Sequence, residues 1–217
     1  MLVAATNNAK KLREIREILD AIGVGDELRS SAELGLGSAD ETGTTFRANA
    51  LIKALAAFRA TGAVCLADDS GLEVDALGGA PGVYSARYAG PDASDADNNA
   101  KLLAALADVA PEARTARYRA VIALVVPSAL AHRVPDAEPL PDDPAVVLFA
   151  AGAIEGLIVD GARGSGGFGY DPYFFYPPAG VTFAELSAAE KHAVSHRGQA
   201  LEQLRPALAA LFRGAEA

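Results

Sequence analysis

Two short apolar runs, Met1–Ala5 and Ala63–Ala67, constrain the fold of this chain more than any other feature. Each is strand-sized and too short for a helix. Each stops at polar residues, Thr6-Asn7-Asn8 after the first and Asp68-Asp69-Ser70-Gly71 after the second. Unalternating apolar runs of that length suit strands buried on both faces. Between them the periodicity turns helical. Leu12, Ile15, Ile18, Leu19 and Ile22 share one helix face, with Asn7 or Asn8 suited to the N-cap and Gly23 to the stop. After a polar, glycine-containing loop over 35–45, a second helix is marked by Phe46, Ala50, Leu51, Ala54, Leu55 and Phe58, capped by Thr44 or Thr45. Strands and helices interleaved in this way predict an α/β fold.

The rest of the chain follows the same pattern. Gly78-Gly79-Ala80-Pro81-Gly82 reads as a restricted loop. Leu102, Leu103, Leu106 and Val109 mark a helix, and Tyr118–Val126 a long strand. The proline- and acid-rich segment 127–144 reads as an irregular loop or a hairpin tip, with Val146–Ala151 and Ala153–Val159 as two further strands. Ser187 and Glu190 have capping-box spacing. Leu201, Leu204, Leu208 and Leu211 define a closing helix that Pro206 should kink or restart. No repeat or linker interrupts the 217 residues, so a single domain over 1–217 is expected.

Composition excludes several classes. Hydrophobic residues make up 51%, enough for a substantial core and against disorder, and the aromatic share of 6% points to an aliphatic interior. Lys and Arg number 19 against 28 Asp and Glu, a formal charge of −9 with no basic tract, so nucleic acid is not an expected partner. The single cysteine, Cys65, lies in an apolar run and reads as a buried small hydrophobe. No signal segment or membrane-length run is visible, and the expectation is a soluble cytoplasmic protein.

Chemistry concentrates in four places. A strand ending at Thr6-Asn7-Asn8 before a helix N-terminus is an anion site, since unpaired amides point outward there. Lys11 in that helix's opening turns opposes its dipole, which a bound polyphosphate would rationalise. Asp68-Asp69 places two carboxylates at the end of a buried strand; one suits Mg²⁺ and the other the orientation or deprotonation of water. Because side chains alternate along a strand, the two need not share a ligand, and Asp-Asp-Ser-Gly is also ordinary turn composition. Asn49 and Lys53 share a face of the second helix. In Gly164–Pro172, glycines permit close backbone approach, Phe168 offers a stacking face and Asp171 an acceptor; a flexible glycine turn is the plain alternative. Ser195-His196-Arg197-Gly198 adds two planar donors. His192 and His196 are four apart without a third ligand, so zinc is not expected.

Taken in order, Ala5-Thr6-Asn7-Asn8-Ala9-Lys10-Lys11, Glu41-Thr42-Gly43 with Thr45-Phe46, Asn49-Ala50 with Lys53-Ala54, Ala67-Asp68-Asp69-Ser70-Gly71-Leu72, Leu77–Gly82 leading to Ser85-Ala86-Arg87-Tyr88, Gly166–Pro172, Lys191 and Ser195–Gly198 resemble the inosine triphosphatase family of non-standard purine nucleotide pyrophosphatases. The resemblance spans nearly the whole chain. It implies an elongated α/β body with a twisted mixed sheet flanked by helices, two lobes with a central cleft holding the active site, and a homodimer. It implies an Mg²⁺-dependent enzyme that converts inosine, deoxyinosine and xanthosine triphosphates to monophosphate and pyrophosphate. By that resemblance, Thr6, Asn7, Asn8, Ala9, Lys10, Lys11 and Lys53 hold the triphosphate, with Asn49 also among the substrate contacts. Glu41 and Asp69 serve Mg²⁺, Asp69 is the general base with Asp68 as the second catalytic carboxylate, and Ser70 contacts substrate. Phe168, Gly169, Tyr170, Asp171, Lys191, His196 and Arg197 contact the base and phosphates. One departure is Ala48, where the family usually has glutamate. The competing readings are a nucleotide-binding regulator without catalysis and a pyrophosphatase for other modified nucleotides. The first is disfavoured by the retained acids and lysines, the second by the Gly-Gly-Phe-Gly-Tyr-Asp and Ser-His-Arg-Gly segments.

Overall fold

The first strand, β1 (Leu2–Ala4), is buried at every position and parallel to both of its neighbours, β2 (Leu28–Ser30) and β3 (Val64–Val74). With β4 (Thr115–Pro127), β5 (Glu138–Leu140), β6 (Ala145–Ile158), β7 (Phe174–Tyr176) and β8 (Val181–Thr182) they form one sheet in the order β2-β1-β3-β4-β6-β7-β8, β5 pairing with β6. The β5–β6, β6–β7 and β7–β8 pairs are antiparallel, so the sheet is mixed. The helices are α1 (Ala9–Ala21), α2 (Phe46–Thr61), α3 (Asp95–Ala105), α4 (Ala188–Val194) and α5 (His196–Phe212). The computed structural model describes residues 1–212; residues 213–217, the end of the expected domain, lie outside the described residues.

By contact density the chain falls into two units, one of Met1–Asp69, Val121–Ala151 and the chain from Arg197, the other of Ser70–Ala120 and Gly152–His196. In the first unit, alternation along the strands sorts side chains between two faces. Leu2, Ala4, Val64, Leu66, Ile122 and Leu124 pack with Ile15 and Leu19 of α1 and with Leu201, Leu204 and Leu208 of α5. Val3, Ala5, Cys65, Ala67, Ala123 and Val125, one residue out of step, pack with Ala50, Ala54 and Phe58 of α2. Complete burial of Ile15 or Leu19 contributes about 1.5–3 kcal/mol each, and the same alternation decides where the acids of β3 point.

The second unit mixes aromatic with aliphatic side chains. Tyr118, Phe174 and Phe183 form its centre, with ring centroids 4.6, 4.9 and 5.7 Å apart. These rings pack beside Leu72, Leu102 and Ile158, while Phe58 and Phe149 belong to the α2 side of the first unit.

Helix ends follow the local chemistry. Asn8 caps α1, accepting from the amides of Lys10 and Lys11, and Thr45 caps α2 through the Ala48 amide. Ser187 and Glu190 form a reciprocal capping box on α4. Gly23 and Gly62 end their helices at φ 73° and 64°, a region that favours glycine.

Four expectations need correction. β3 does not stop at Asp68 but runs through Asp-Asp-Ser-Gly to Val74, because its carboxylates are neutralised inside the protein and need no solvent. The two strands expected after 145 are the single strand β6, which passes through Gly152 without a break. Val109 lies beyond α3, whose start is set by a capping box between Ser94 and Asp97 that hydrophobic spacing does not reveal. α5 does not restart at Pro206 but runs on through it as one helix packed on the first unit's core. The 127–144 segment contains a short 3-10 turn over Ser128–Arg133 and the β5 arm of a hairpin with β6.

Candidate active site

In the first unit, the step of one residue along β3 sends Asp68 toward α1 and α5 and Asp69 toward α2. Asp68 is completely buried. Its Oδ2 receives Lys11 Nζ at 3.0 Å and Arg197 Nη2 at 3.3 Å, and Arg197 also pairs with Glu14 of α1. Burial alone would raise the Asp68 carboxyl, but the charges of Arg197, Lys11 and Lys53 outweigh it and hold the group far below the usual carboxylate range.

Asp69 has a different environment. Lys53 Nζ donates to its Oδ1 at 2.8 Å and to Glu41 Oε1 at 2.7 Å, so one ammonium bridges two carboxylates. Asp69 Oδ2 is buried with no hydrogen-bond partner in the structure. Burial raises the Asp69 carboxyl, the Lys53 charge opposes the rise, and the Glu41 charge adds to it. Burial also works against the Lys53 ammonium, but Asp69 and Glu41 together keep its pKa above the ordinary lysine value.

Glu41 and Asp69 are the residues that suit a metal. They offer oxygen only, one atom of the pair is a buried orphan, and a cation already lies between them. Among the described residues no group of three or more His, Cys, Asp or Glu is placed to hold an ion. Two carboxylates without a complete protein cage fit Mg²⁺, which is usually bound by one or two carboxylates together with substrate phosphates and water.

The expected anion site at α1 is narrower than its sequence suggests. Asn8 Oδ1 occupies the Lys10 and Lys11 amides at 3.0 and 3.1 Å, and Thr6 Oγ1 accepts from Asn8 N at 3.2 Å. The cap therefore competes with an anion for those donors. Asn7, Ala9 and Lys10 are exposed, and Lys11 is turned to Asp68. Asn49 is completely buried, its Oδ1 accepting from Gly43 N at 2.8 Å.

In the second unit, the glycine-rich segment is ordered around Asp171. Asp171 Oδ2 accepts from Phe168 N at 2.8 Å and from Lys191 Nζ at 2.7 Å, both charged side chains being buried. A Cβ on Gly167, at φ 69°, would lie 2.1 Å from that oxygen. The Lys191 ammonium lies 5.0 Å from the Phe168 ring centroid, a cation–π distance. Gly169 is held from both sides, its carbonyl by Asn99 Nδ2 at 2.8 Å and its amide by Asp95 at 3.0 Å. The Tyr170 hydroxyl donates to Ser85 O at 2.8 Å. The His196 ring stacks on Tyr118 with centroids 5.0 Å apart and planes 13° from parallel. Ser70 is half-buried in β3.

The structure thus gathers Lys11, Asp68 and Arg197 into one cluster, Glu41, Lys53 and Asp69 into a second, and Phe168, Asp171 and Lys191 into a third. Sequence reasoning missed Glu14, Asp95, Asn99 and Tyr118, and quoted Ser85 in a motif without giving it a role. Only Glu14 had a local signal, its position three residues after Lys11 on one helix face; the others are brought in by long-range packing.

These clusters sit on a mixed α/β sheet flanked by helices, and comparison with known proteins defines the chain more narrowly. The Ham1 family matches residues 2–207, and the chain belongs to that family. It is 48% identical over 207 residues to the dITP/XTP pyrophosphatase of Yersinia pseudotuberculosis, covering 95% of this chain and 97% of that one. It is 48% identical over 213 residues to the enzyme of the same name from Methylococcus capsulatus, covering 98% of both. Among solved structures, a HAM1 protein from Coxiella burnetii superposes with a TM-score of 0.78 at 43% identity, over 95% of this chain and 97% of that chain.

Proposed function

We propose that this chain hydrolyses deaminated purine nucleoside triphosphates, those of inosine, deoxyinosine and xanthosine, to the monophosphate and pyrophosphate, and so removes them from the nucleotide pool. The observation that carries the mechanism is the Lys53-bridged pair of Glu41 and Asp69, with one Asp69 oxygen buried and unbonded. Relatives at 48% identity that bear the name dITP/XTP pyrophosphatase support the substrate class.

In this reading Glu41 and Asp69 hold Mg²⁺, which when bound offsets phosphate charge and polarises the phosphoryl group. Asp69 orients a water and takes its proton, a task suited to a carboxylate made more basic by burial. The water oxygen bonds to the α-phosphorus, and the bond from that phosphorus to the bridging oxygen breaks. Pyrophosphate leaves with the electron pair. Lys53 and Lys11 supply positive charge to the triphosphate, and most of the rate comes from such positioning and electrostatics. Asp68, held anionic, anchors Lys11 and Arg197.

Base selection falls to the second unit. Hypoxanthine and xanthine present an oxygen acceptor where adenine presents an amino donor, so a donor held in a fixed position discriminates between them. Phe168 offers a ring face, Lys191 and His196 offer donors, and Asp171 fixes Lys191. We further propose that both units act as one domain, as the match over residues 2–207 supports, in a cytoplasmic homodimer. Among the described residues no helix is long and apolar enough to cross a membrane.

The test is pyrophosphate release, with Mg²⁺, from inosine, xanthosine, adenosine, guanosine and pyrimidine triphosphates in parallel. A strong preference for the first two is expected. Release from none of them would replace the enzyme reading with a binding regulator, and preference for a pyrimidine would move the substrate class.

A further inference from the structure

Glu41 lies in a stretch, 40–45, that contains no helix or strand, yet its carboxylate meets Lys53 at 2.7 Å. Something has to hold that loop. Beyond the Thr45 cap, its backbone meets α2 through the bond from Gly43 N to Asn49 Oδ1, 2.8 Å long and six residues apart in sequence. The approach is close. A Cβ on Gly43 would lie 2.6 Å from Asn49 Oδ1, 2.8 Å from the Ala48 Cβ and 3.1 Å from Asn49 N. Only glycine at 43 leaves the loop seated there, and the small side chain of Ala48 forms part of the seat.

Asn49 is an unusual residue for its place. Asparagine is a poor residue for a helix interior, because its side chain competes for backbone partners. Here it is completely buried, and its Nδ2 makes no hydrogen bond in the structure. A half-satisfied buried amide is costly, so the bond made by Oδ1 has to outweigh that cost. The Gly43 N–H also fixes which way the amide faces, since only the oxygen can accept it. Beyond the Thr45 cap, α2 therefore grips the loop at Asn49, on the backbone of Gly43, and at Lys53, one turn later, on the Glu41 side chain.

We propose that Asn49 is a positioning residue for Glu41. It touches neither base nor phosphate but sets metal affinity by holding the loop that carries one of the two metal carboxylates. The inference rests on the reading above, in which Glu41 and Asp69 hold Mg²⁺. It replaces the direct substrate contact that the family resemblance implies for Asn49.

The test is Mn²⁺ binding to the full-length protein by electron paramagnetic resonance, without nucleotide, alongside pyrophosphate release over a metal titration. Asn49→Ala should weaken Mn²⁺ binding about tenfold or more while kcat at saturating metal stays within about threefold, as for residues that orient metal ligands. Asn49→Asp, which keeps an oxygen for the Gly43 amide, should regain most of that affinity. Gly43→Ala, which keeps Asn49 but lifts the loop, should lose affinity as Asn49→Ala does, and carries the test if Asn49→Ala does not fold. Mn²⁺ affinity unchanged in Asn49→Ala and Gly43→Ala overturns the proposal. So does a raised substrate KM with unchanged metal affinity, which returns Asn49 to substrate contact. If the unsubstituted protein neither binds Mn²⁺ nor needs a divalent metal for pyrophosphate release, the metal reading itself falls.

Discussion

Asp68 and Asp69 are consecutive residues of one strand, yet Asp68 is ion-paired to α1 and α5 while Asp69 is bonded to α2. Their protons are pushed apart accordingly. Asp68 faces three positive charges and stays ionised, whereas Asp69 shares one lysine with a second acid and is raised. Adjacent carboxylates whose environments push their pKa values apart are how sites divide structural and proton-transfer work.

Asp69→Asn preserves shape and removes the proton acceptor. Turnover is expected to fall by roughly 10²–10⁴-fold, the usual contribution of a general base, with the thermal midpoint close to that of the native protein. Pyrophosphate release and a melting curve read the two quantities separately. Near-native turnover would take the base role away from Asp69.

Asp68→Asn acts on stability first. Arg197 and Lys11 would lose the shared counter-charge, and the buried Arg197 would keep its pair with Glu14. Breaking a buried pair from one side costs about 3–5 kcal/mol, and Arg197→Ala should cost a comparable amount. Because both changes strike one network, the double variant should cost clearly less than the sum of the singles. Urea unfolding measures all three, and additive losses would mean the pair is not coupled.

Gly167→Ala probes the base-reading cluster without touching a charged group. The new methyl would collide with Asp171 Oδ2, the oxygen that holds Lys191 and the Phe168 amide, at a backbone angle that resists any side chain. The expected result is a smaller ratio of kcat/KM for inosine over adenosine triphosphate, with metal dependence unchanged. A preserved ratio would mean that Asp171 and Lys191 do not read the base.

Cys65 is wholly buried and its thiol is pushed up to about 11 by burial, so thiolate is scarce at neutral pH. A disulfide-exchange reagent such as DTNB should fail to label the native protein at pH 8 and should label it stoichiometrically in denaturant. Fast native labelling would show that the α2 side of the sheet opens readily.

Much of the fold was legible in the residues. β1 and α1 were readable because an apolar run, an asparagine cap and a helical stripe agree locally. β3 was misjudged at its end, since Asp-Asp-Ser-Gly is turn-like until Lys11, Lys53 and Arg197 arrive from elsewhere to neutralise it. β6 was split for a similar reason, because nothing local at Gly152 says whether a strand continues past it. The start of α3 was missed because Ser94 and Asp97 precede its hydrophobic stripe.

By itself the sequence determined the α/β class, the positions of the main helices and the identity of the chemical groups, because periodicity, caps and motif residues are properties of neighbouring positions. The tertiary structure alone decided the partnerships. It set Lys53 between Glu41 and Asp69, Arg197 against an acid 129 positions away, His196 flat on Tyr118, and Asn49 beneath Gly43. Charge interactions and packing depend on distance in space and on desolvation, and neither is fixed until distant segments are brought together and water is excluded.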